Sequence, residues 1–267
     1  MIGFNHLGKM GQLGNQMFQY AATKGIARKV GVDFIIPDHK EVVVDALGNK
    51  LRVELFNVFT LDPFNRGYVN IEPEDYTHEP SFEFNEELFD LDPKKDTSLL
   101  GYFQTEKYFK HIESEIREDF SFQEKYVTEC SDIVEQFDNL IALHIRRGDF
   151  LVNSANHANL PLGYYEEALR QFDSDRQVVI FSDDAEWCKE QDLFGDDRFL
   201  VSEGNGPYHD LYLMSKCSDF IIANSTFSWW GAWLANTGKV IAPSMWFGPN
   251  NAEKSTTDLY LDGWNIL

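Results

Sequence analysis

The stretch NLIALHIRRGDF (139–150) sets an apolar run, too short for a helix, directly against His144, two adjacent guanidinium groups at Arg146 and Arg147, and Asp149. Similar runs recur at QVVIFS (177–182), DFIIAN (219–224) and KVIAPS (239–244), with a shorter one at RFLVS (198–202). All are rich in Val, Ile or Leu and read as buried strands. Between them lie helical patterns at LGYYEEALRQF (162–172), DDAEWCKEQ (183–191), HDLYLMSKC (209–217) and FSWWGAWLAN (227–236). Strand and helix in alternation predict a parallel sheet covered on both faces.

The first half carries a weaker version of the same signal. HLGKMGQLGNQ leads into QMFQYAATKGIARKV, a helical pattern closed by Gly31, and VDFIIP follows as a strand. From 40 to 98 the chain is acidic and interrupted by Pro63, Pro73, Pro80 and Pro93, and no elements are assigned there. A strand at SLLGYF and a helix over EKYFKHIESEIREDF precede an expected boundary near 125–138.

Composition narrows the classes of partner. With 23 basic against 44 acidic residues the net charge is −21, which removes long-range attraction to nucleic acid or an anionic membrane. An anionic ligand must therefore be met by a local cluster of cations. Hydrophobic content of 43% and aromatic content of 15% mark a globular chain. Cys130, Cys188 and Cys217 are widely spaced and include no CxxC pair, so ordinary thiols in a reducing compartment are expected. Nothing resembles a signal peptide or an apolar span of about 18 residues. The expected location is the cytoplasm, which leaves peripheral contact with the inner face of a bacterial membrane open.

Three polar clusters, HIRRGD, SDD and NST, each follow an apolar strand at its carboxyl end, where open α/β sheets bind ligands. The plain structural reading of a Ser, Asp or Thr after a strand is a helix cap, and Ser182, Asp183 and Thr226 are expected to cap whatever else they do. Two arginines directly after a buried strand are less easily structural. Arg is costly to bury without a partner, and its fork suits a phosphate.

GQLGNQMFQYA, HIRRGDF, VIFSDD and ANSTFSWWGAWLA, in that order, resemble the bacterial alpha-1,2-fucosyltransferase family, which uses GDP-fucose. The resemblance implies a GT-B type α/β architecture, two Rossmann-like domains facing across a cleft, with an acceptor-side domain over 1–130 and a GDP-fucose-binding domain over 131–267. It also implies inverting transfer of L-fucose to a galactose 2-hydroxyl with no metal or other cofactor. Carried over residue by residue, it sets His144 against the guanine and Arg146, with Arg147, at the diphosphate. Asp183 or Asp184 would accept from guanine N1 and N2. Asn224, Ser225 and Thr226 would meet the phosphates at a helix start, and Asn15, with Gln16, would reach the sugar–phosphate junction. Asp149 is either the base that takes the acceptor's proton or a carboxylate that pins Arg147. The reading of a different class is a nucleotide-sugar or glycan binding protein that lost catalysis.

Sharper-looking features carry less. RGD (147–149) leaves a buried strand and so does not read as an adhesive loop, and GKMGQLG falls short of GxGxxG. Trp229, Trp230 and Trp233 read as a packed helix face. DSD (173–175) and DLD (90–92) read as solvated turns rather than metal sites.

Overall fold

The computed structural model describes residues 1–61 and 65–267; Pro63, in the proline-rich stretch, lies outside them. The chain divides into two compact units, Met1–Gln123 with Lys254–Leu261, and Glu124–Glu253 with Asp262–Leu267.

The first unit opens with β1 (Ile2–Gly3), α1 (Leu13–Val30) and β2 (Phe34–Ile35). The irregular stretch contains a hairpin of β3 (Val43–Val44) and β4 (Lys50–Leu51), the short α2 (Leu55–Val58) and β5 (Thr77–His78). β6 (Thr97–Leu100) and α3 (Glu113–Asp119) follow. The strands form a parallel sheet in the order β2-β1-β6-β5. β1 pairs on both sides although it is two residues long, too short for any periodic signal. The helix expected over EKYFKHIESEIREDF begins as two 3₁₀ turns, Glu106–Tyr108 and Lys110–Ile112, and becomes α-helical only at Glu113.

α1 is buried from Gln16 to Ala27 without a break, so its polar side chains need partners inside the unit. Lys24 donates to Asp119 at 2.5 Å and Tyr20 Oη donates to the same carboxylate at 2.9 Å, which ties α1 to α3. Gly31 ends the helix in the left-handed conformation, φ 77°, as the sequence indicated.

The second unit runs α4 (Glu124–Glu129), α5 (Ser131–Val134), β7 (Ile141–Ile145), α6 (Gly148–Val152), α7 (Leu162–Leu169), β8 (Val178–Ser182), α8 (Ala185–Lys189), β9 (Phe199–Val201), α9 (Pro207–Met214), β10 (Asp219–Ile221), α10 (Thr226–Ala235), β11 (Val240–Ala242) and β12 (Asn265–Ile266). Its sheet is parallel throughout, in the order β12-β11-β10-β7-β8-β9. This is the doubly wound order of a nucleotide-binding sheet, and it reverses direction between β7 and β10. The crevice of such a sheet lies outside the carboxyl ends of those two strands, where His144 and Asn224 sit. Ile141, Leu143, Ile145 and Ile180 are fully or almost fully buried and form the core of this unit with Tyr165 and Ala168. Trp229 and Trp230 are 0% exposed and Trp233 is 3%, so the tryptophan run is core.

The change of unit falls after Gln123, ahead of the division expected at 130. Tyr126 on α4 packs edge-on against Tyr208 and His209 of α9, which draws α4 into the second unit. The chain then returns at 254–261, where Asp258 accepts from Phe84 N at 2.8 Å and pairs with Lys107. A return of this kind leaves no mark in composition.

Gly25, inside α1, offers a test of this packing. A Cβ there would lie 2.0 Å from the Tyr108 carbonyl oxygen, and backbone cannot step aside. Helix propensity alone would make Gly25→Ala stabilising by about 1 kcal/mol. The clash reverses the sign, and urea denaturation should show a loss of roughly 1–3 kcal/mol.

Candidate functional site

The site is built where β7 ends. His144 is 6% exposed, and its Nδ1 lies 2.9 Å from Ser228 Oγ on α10. Ser228 Oγ also lies within reach of the Ser225 and Ala223 carbonyls, at 3.2 and 3.4 Å, and when its proton goes to either of them Nδ1 carries the hydrogen of the His144–Ser228 bond and Nε2 is left as an acceptor. Burial, with the nearby Arg146 charge adding to it, pushes the imidazole pKa down to about 3. His144 is a neutral, oriented ring that also packs against Phe227 at 5.5 Å.

The two arginines are held by three carboxylates. Arg146 Nη2 donates to Asp149 Oδ1 at 2.6 Å, and Nη1 lies 3.0 Å from Asp183 Oδ2. Arg147 gives its backbone N–H to Asp183 Oδ1 and its Nε–H to Asp184 Oδ2, both at 2.9 Å. Its guanidinium lies 3.8 Å from the centre of the Trp187 ring. Arg146 keeps further N–H donors beyond these two pairs, because a guanidinium has five. With a side chain 21% exposed, it presents a partly desolvated fork.

Two expectations change on this geometry. Asp149 pairs with Arg146, not with Arg147, because residues 148–152 form α6, and one helical turn brings residue 149 back over 146. Asp184, not Asp183, caps α8, accepting from Trp187 N at 3.3 Å. Asp183 Oδ1 and Oδ2 both hold arginine groups, and Asp184 Oδ1 and Oδ2 hold Trp187 N and Arg147, so each of these oxygens already accepts one bond and keeps one lone pair. Gly148 begins α6. A Cβ there would meet Asp183 Oδ2 at 2.5 Å, so only glycine admits the clamp.

β10 supplies the other side of the switch point. Asn224 is 3% exposed, and its Nδ2 donates to the Ala158 and Trp246 carbonyls at 2.8 and 2.9 Å. Its Oδ1 is buried without a hydrogen-bond partner among the described residues. Asn224 thus ties two loops under the site rather than reaching out from it. Ser225 stands at the N-cap of α10 in extended conformation and makes no side-chain cap bond; Thr226 is the first helical residue. Both are half-buried. The first turn of α10 therefore presents free backbone N–H groups and two hydroxyls, a setting that favours an anion.

Asn15 and Gln16 belong to the first unit. Asn15 Oδ1 accepts from Gln104 Nε2 at 3.0 Å, which leaves its Nδ2 as a donor. Gln16 is 0% exposed, donates to the Gly11 and Arg52 carbonyls, and accepts from Glu54 N. Its amide, fully buried, staples residues 52–54 to α1 from both ends. Ser228, Trp187 and Gln104 were not singled out in the sequence. A buried serine inside an apolar helix was the one available signal, and only its neighbour across the sheet gives it meaning.

The whole chain, residues 1–267, matches the family model described as Glycosyl transferase family 11. The protein belongs to that family. It is 30% identical to the O-antigen biosynthesis glycosyltransferase WbnK of Escherichia coli, over 94% of this chain and 98% of that one. It is 31% identical to an Escherichia coli alpha-1,2-colitosyltransferase, over 89% and 90% of the two chains. Human galactoside alpha-(1,2)-fucosyltransferase 1 is 26% identical over 84% of this chain and 64% of its own. Among solved structures, POFUT1 with GDP aligns with a TM-score of 0.55 and 12% identity, covering 88% of this chain and 94% of that one. NodZ alpha-1,6-fucosyltransferase soaked with GDP-fucose aligns at 0.53 and 15%, covering 91% and 94%. These likenesses establish a GT-B type α/β fold.

The tautomer of His144 can be read directly. In ¹⁵N-resolved NMR, His144 should show a protonated Nδ1 and a bare Nε2, with no titration from pH 8 to 5. Because the unfolded imidazole takes a proton below its ordinary 6.5 and the folded one does not, His144 withdraws stability as pH falls from 6.5 towards about 3. An inflection near 6.5 in the His144 resonances would contradict the buried neutral ring.

Proposed function

We propose that the protein transfers L-fucose from GDP-β-L-fucose, with inversion, to the 2-hydroxyl of a terminal β-galactoside. The observation that carries this reading is the carboxylate-clamped arginine fork beside the first turn of α10, at the switch point of a nucleotide-binding sheet. Membership of a family whose relatives include galactoside alpha-(1,2)-fucosyltransferase 1 supports this choice of sugar and linkage. In this reaction the acceptor oxygen attacks C1 of fucose from the face opposite the nucleotide. The C1–O bond to phosphate breaks, and negative charge grows on the departing diphosphate.

The residues divide the work by chemistry. Arg146, with the N–H groups and hydroxyls at Ser225 and Thr226, stabilises the leaving diphosphate, so no metal takes part in this reading. His144 offers its Nε2 acceptor to an N–H donor of the guanine. Arg147 is a positioning residue, stacked on Trp187 and tied to Asp184. Asp149, bonded to Arg146 at 2.6 Å, orients the fork, which favours the scaffold role over the base. DSD (173–175) has both acids exposed ahead of β8, away from the strand's carboxyl end.

A second reading changes the sugar. Identity of 31% to the colitosyltransferase favours colitose as the transferred group, with the same nucleotide handling. Competition between the two GDP-sugars in one transfer assay separates the readings.

GDP should protect the protein against thermal unfolding more strongly than UDP at equal concentration; equal protection would remove the guanine assignment. EDTA should leave transfer intact. Loss of most activity on chelation, restored by manganese, would return a metal to the mechanism.

Arg146→Lys keeps the charge but not the fork, and turnover should fall by about 10² or more, the size of one lost preorganised donor. Equal and mild losses in Arg146→Lys and Arg147→Lys would show that only net charge counts. Asp149→Asn should weaken GDP binding more than turnover at saturating donor if the carboxylate is an orienting one.

A further inference from the structure

The polar run NSANHANL (153–160) joins α6 to α7 with no regular element, yet the carbonyls of Ala155, Asn156 and Ala158 are all hydrogen-bonded. Asn250 N donates to Ala155 at 2.7 Å, and Asn156 accepts from Gly248 N at 2.9 Å and from Asn251 Nδ2 at 3.1 Å. His157 and Phe247 form an antiparallel bridge beside these bonds. A Cβ on Gly248 would lie 2.6 Å from the Ser154 carbonyl oxygen, so glycine lets the two loops close on each other. Asn224, past the end of β10, binds one carbonyl of each loop, Ala158 and Trp246. All of these residues belong to the second unit.

The loop so fixed carries one ring. His157 is half-buried and stacks on Phe150, with centroids 4.1 Å apart and 10° between planes. Phe150 is the buried residue of α6, whose Leu151 and Val152 are exposed, and the Arg146 guanidinium carbon lies 5.3 Å from the centre of its ring. Arg146 is therefore held at both terminal nitrogens, Nη2 by Asp149 and Nη1 by Asp183, and also against an aromatic ring. Bonds at two nitrogens fix a line, about which a planar group can still rock. The ring removes that freedom. The remaining N–H donors lie in the guanidinium plane, so its tilt decides where they point.

We infer that His157 is a positioning residue for sugar transfer: its ring holds Phe150, Phe150 sets the tilt of the Arg146 fork, and the joined loops hold His157. The inference rests on the transferase reading given above, in which Arg146 meets the departing diphosphate. Charge grows on that diphosphate as the bond to C1 breaks, and a donor contributes most to the rate when it already points where the charge will appear. Packing alone accounts for a buried Phe150. It gives no reason for a flat ring at 157, since every other side chain in NSANHAN (153–159) is small or a carboxamide.

The length of α6 makes the support necessary. It spans only Gly148–Val152, and a helix so short is not stable by its own hydrogen bonds. Both Asp149 and Phe150 ride on it, so whatever docks α6 also sets the carboxylate on Nη2. The docking is done by Phe150, against Arg146 on one account and His157 on the other. This role asks for a planar ring at 157 and makes no use of its nitrogens, which separates it from ligand binding or proton transfer by the imidazole. Phenylalanine at 157 keeps the stack, whereas alanine leaves Phe150 room to turn to another rotamer.

The test uses the full chain, with His157→Ala, His157→Phe and Phe150→Leu each made beside the native Arg146 and beside Arg146→Lys. The readouts are kcat of transfer, GDP affinity and acceptor KM. His157→Ala and Phe150→Leu should each lower kcat about three- to tenfold and weaken GDP binding, the size of one lost ring pair, with acceptor KM kept. His157→Phe should stay within about twofold of wild type. With Arg146→Lys there is no fork to tilt, so His157→Ala should cost nothing further, whereas a loop that only packs would cost the same in both backgrounds. The inference falls if His157→Phe is as low as His157→Ala, if His157→Ala matches wild type, or if its loss is undiminished beside Arg146→Lys. Should His157→Ala not fold, Phe150→Leu in the two backgrounds decides by the same rule. Failure of the transferase reading looks different: GDP binds and its coupling to His157 through Arg146 is intact, which upholds the hold on the fork, but no sugar acceptor yields product.

Discussion

The second unit depends on how two neighbouring guanidinium groups are kept at the end of a buried strand. β7 is buried along its whole length, and the chain leaves it as Arg146 and Arg147, with side chains only 21% and 24% exposed. Unpaired charges so placed would cost several kcal/mol each, so the fold must bring carboxylates to them. Asp183 meets both arginines, binding the Nη1 of one and the backbone N–H of the other. That clamp fixes the loop after β7 to the loop after β8, demands glycine at 148, and sets where α6 starts.

The balance of charge within the cluster shapes what it can bind. Three carboxylates face two guanidiniums, in a chain whose net charge is −21. The site therefore cannot attract an anion through excess positive charge at long range. In the transferase reading proposed above it meets one at contact, through the remaining N–H donors of Arg146 and the first turn of α10. Recognition by geometry rather than field explains why the arginines are held so rigidly.

The first unit solves its problem with neutral amides instead of ion pairs. Gln16 satisfies the backbone of residues 52–54, Gln19 donates to the Met10 and Gly101 carbonyls, and Asn5 binds both backbone groups of Val69. Long stretches without regular structure leave many backbone groups unpaired, and an amide, with donor and acceptor side by side, serves both kinds. The proline-rich segment packs because these side chains replace the missing ladders. The same device sets the turn 101–103 in place, where Glu79 accepts from Tyr102 N and Phe103 N.

The sequence by itself determined the α/β class, the strands of the second unit and the arginine pair. Buried parallel strands must be continuous apolar runs, and a charged residue at the end of one is visible against them. It also gave the place of α1 and its closing glycine, which depend on neighbours within a few residues. β1 and β12 escaped notice because each is two residues long and exists only through its neighbours in the sheet. Residues 148–152 carry no helical signal in the sequence and form a helix, whose first turn is stabilised by Arg146 meeting Asp149. Which carboxylate holds which arginine, whether Gln16 faces a ligand or a loop, and the pairing of Glu79 with residues 102 and 103 were decided by tertiary structure alone. These contacts join residues from 3 to 38 positions apart in the sequence, and no local pattern records a partner that arrives only when the sheet has formed.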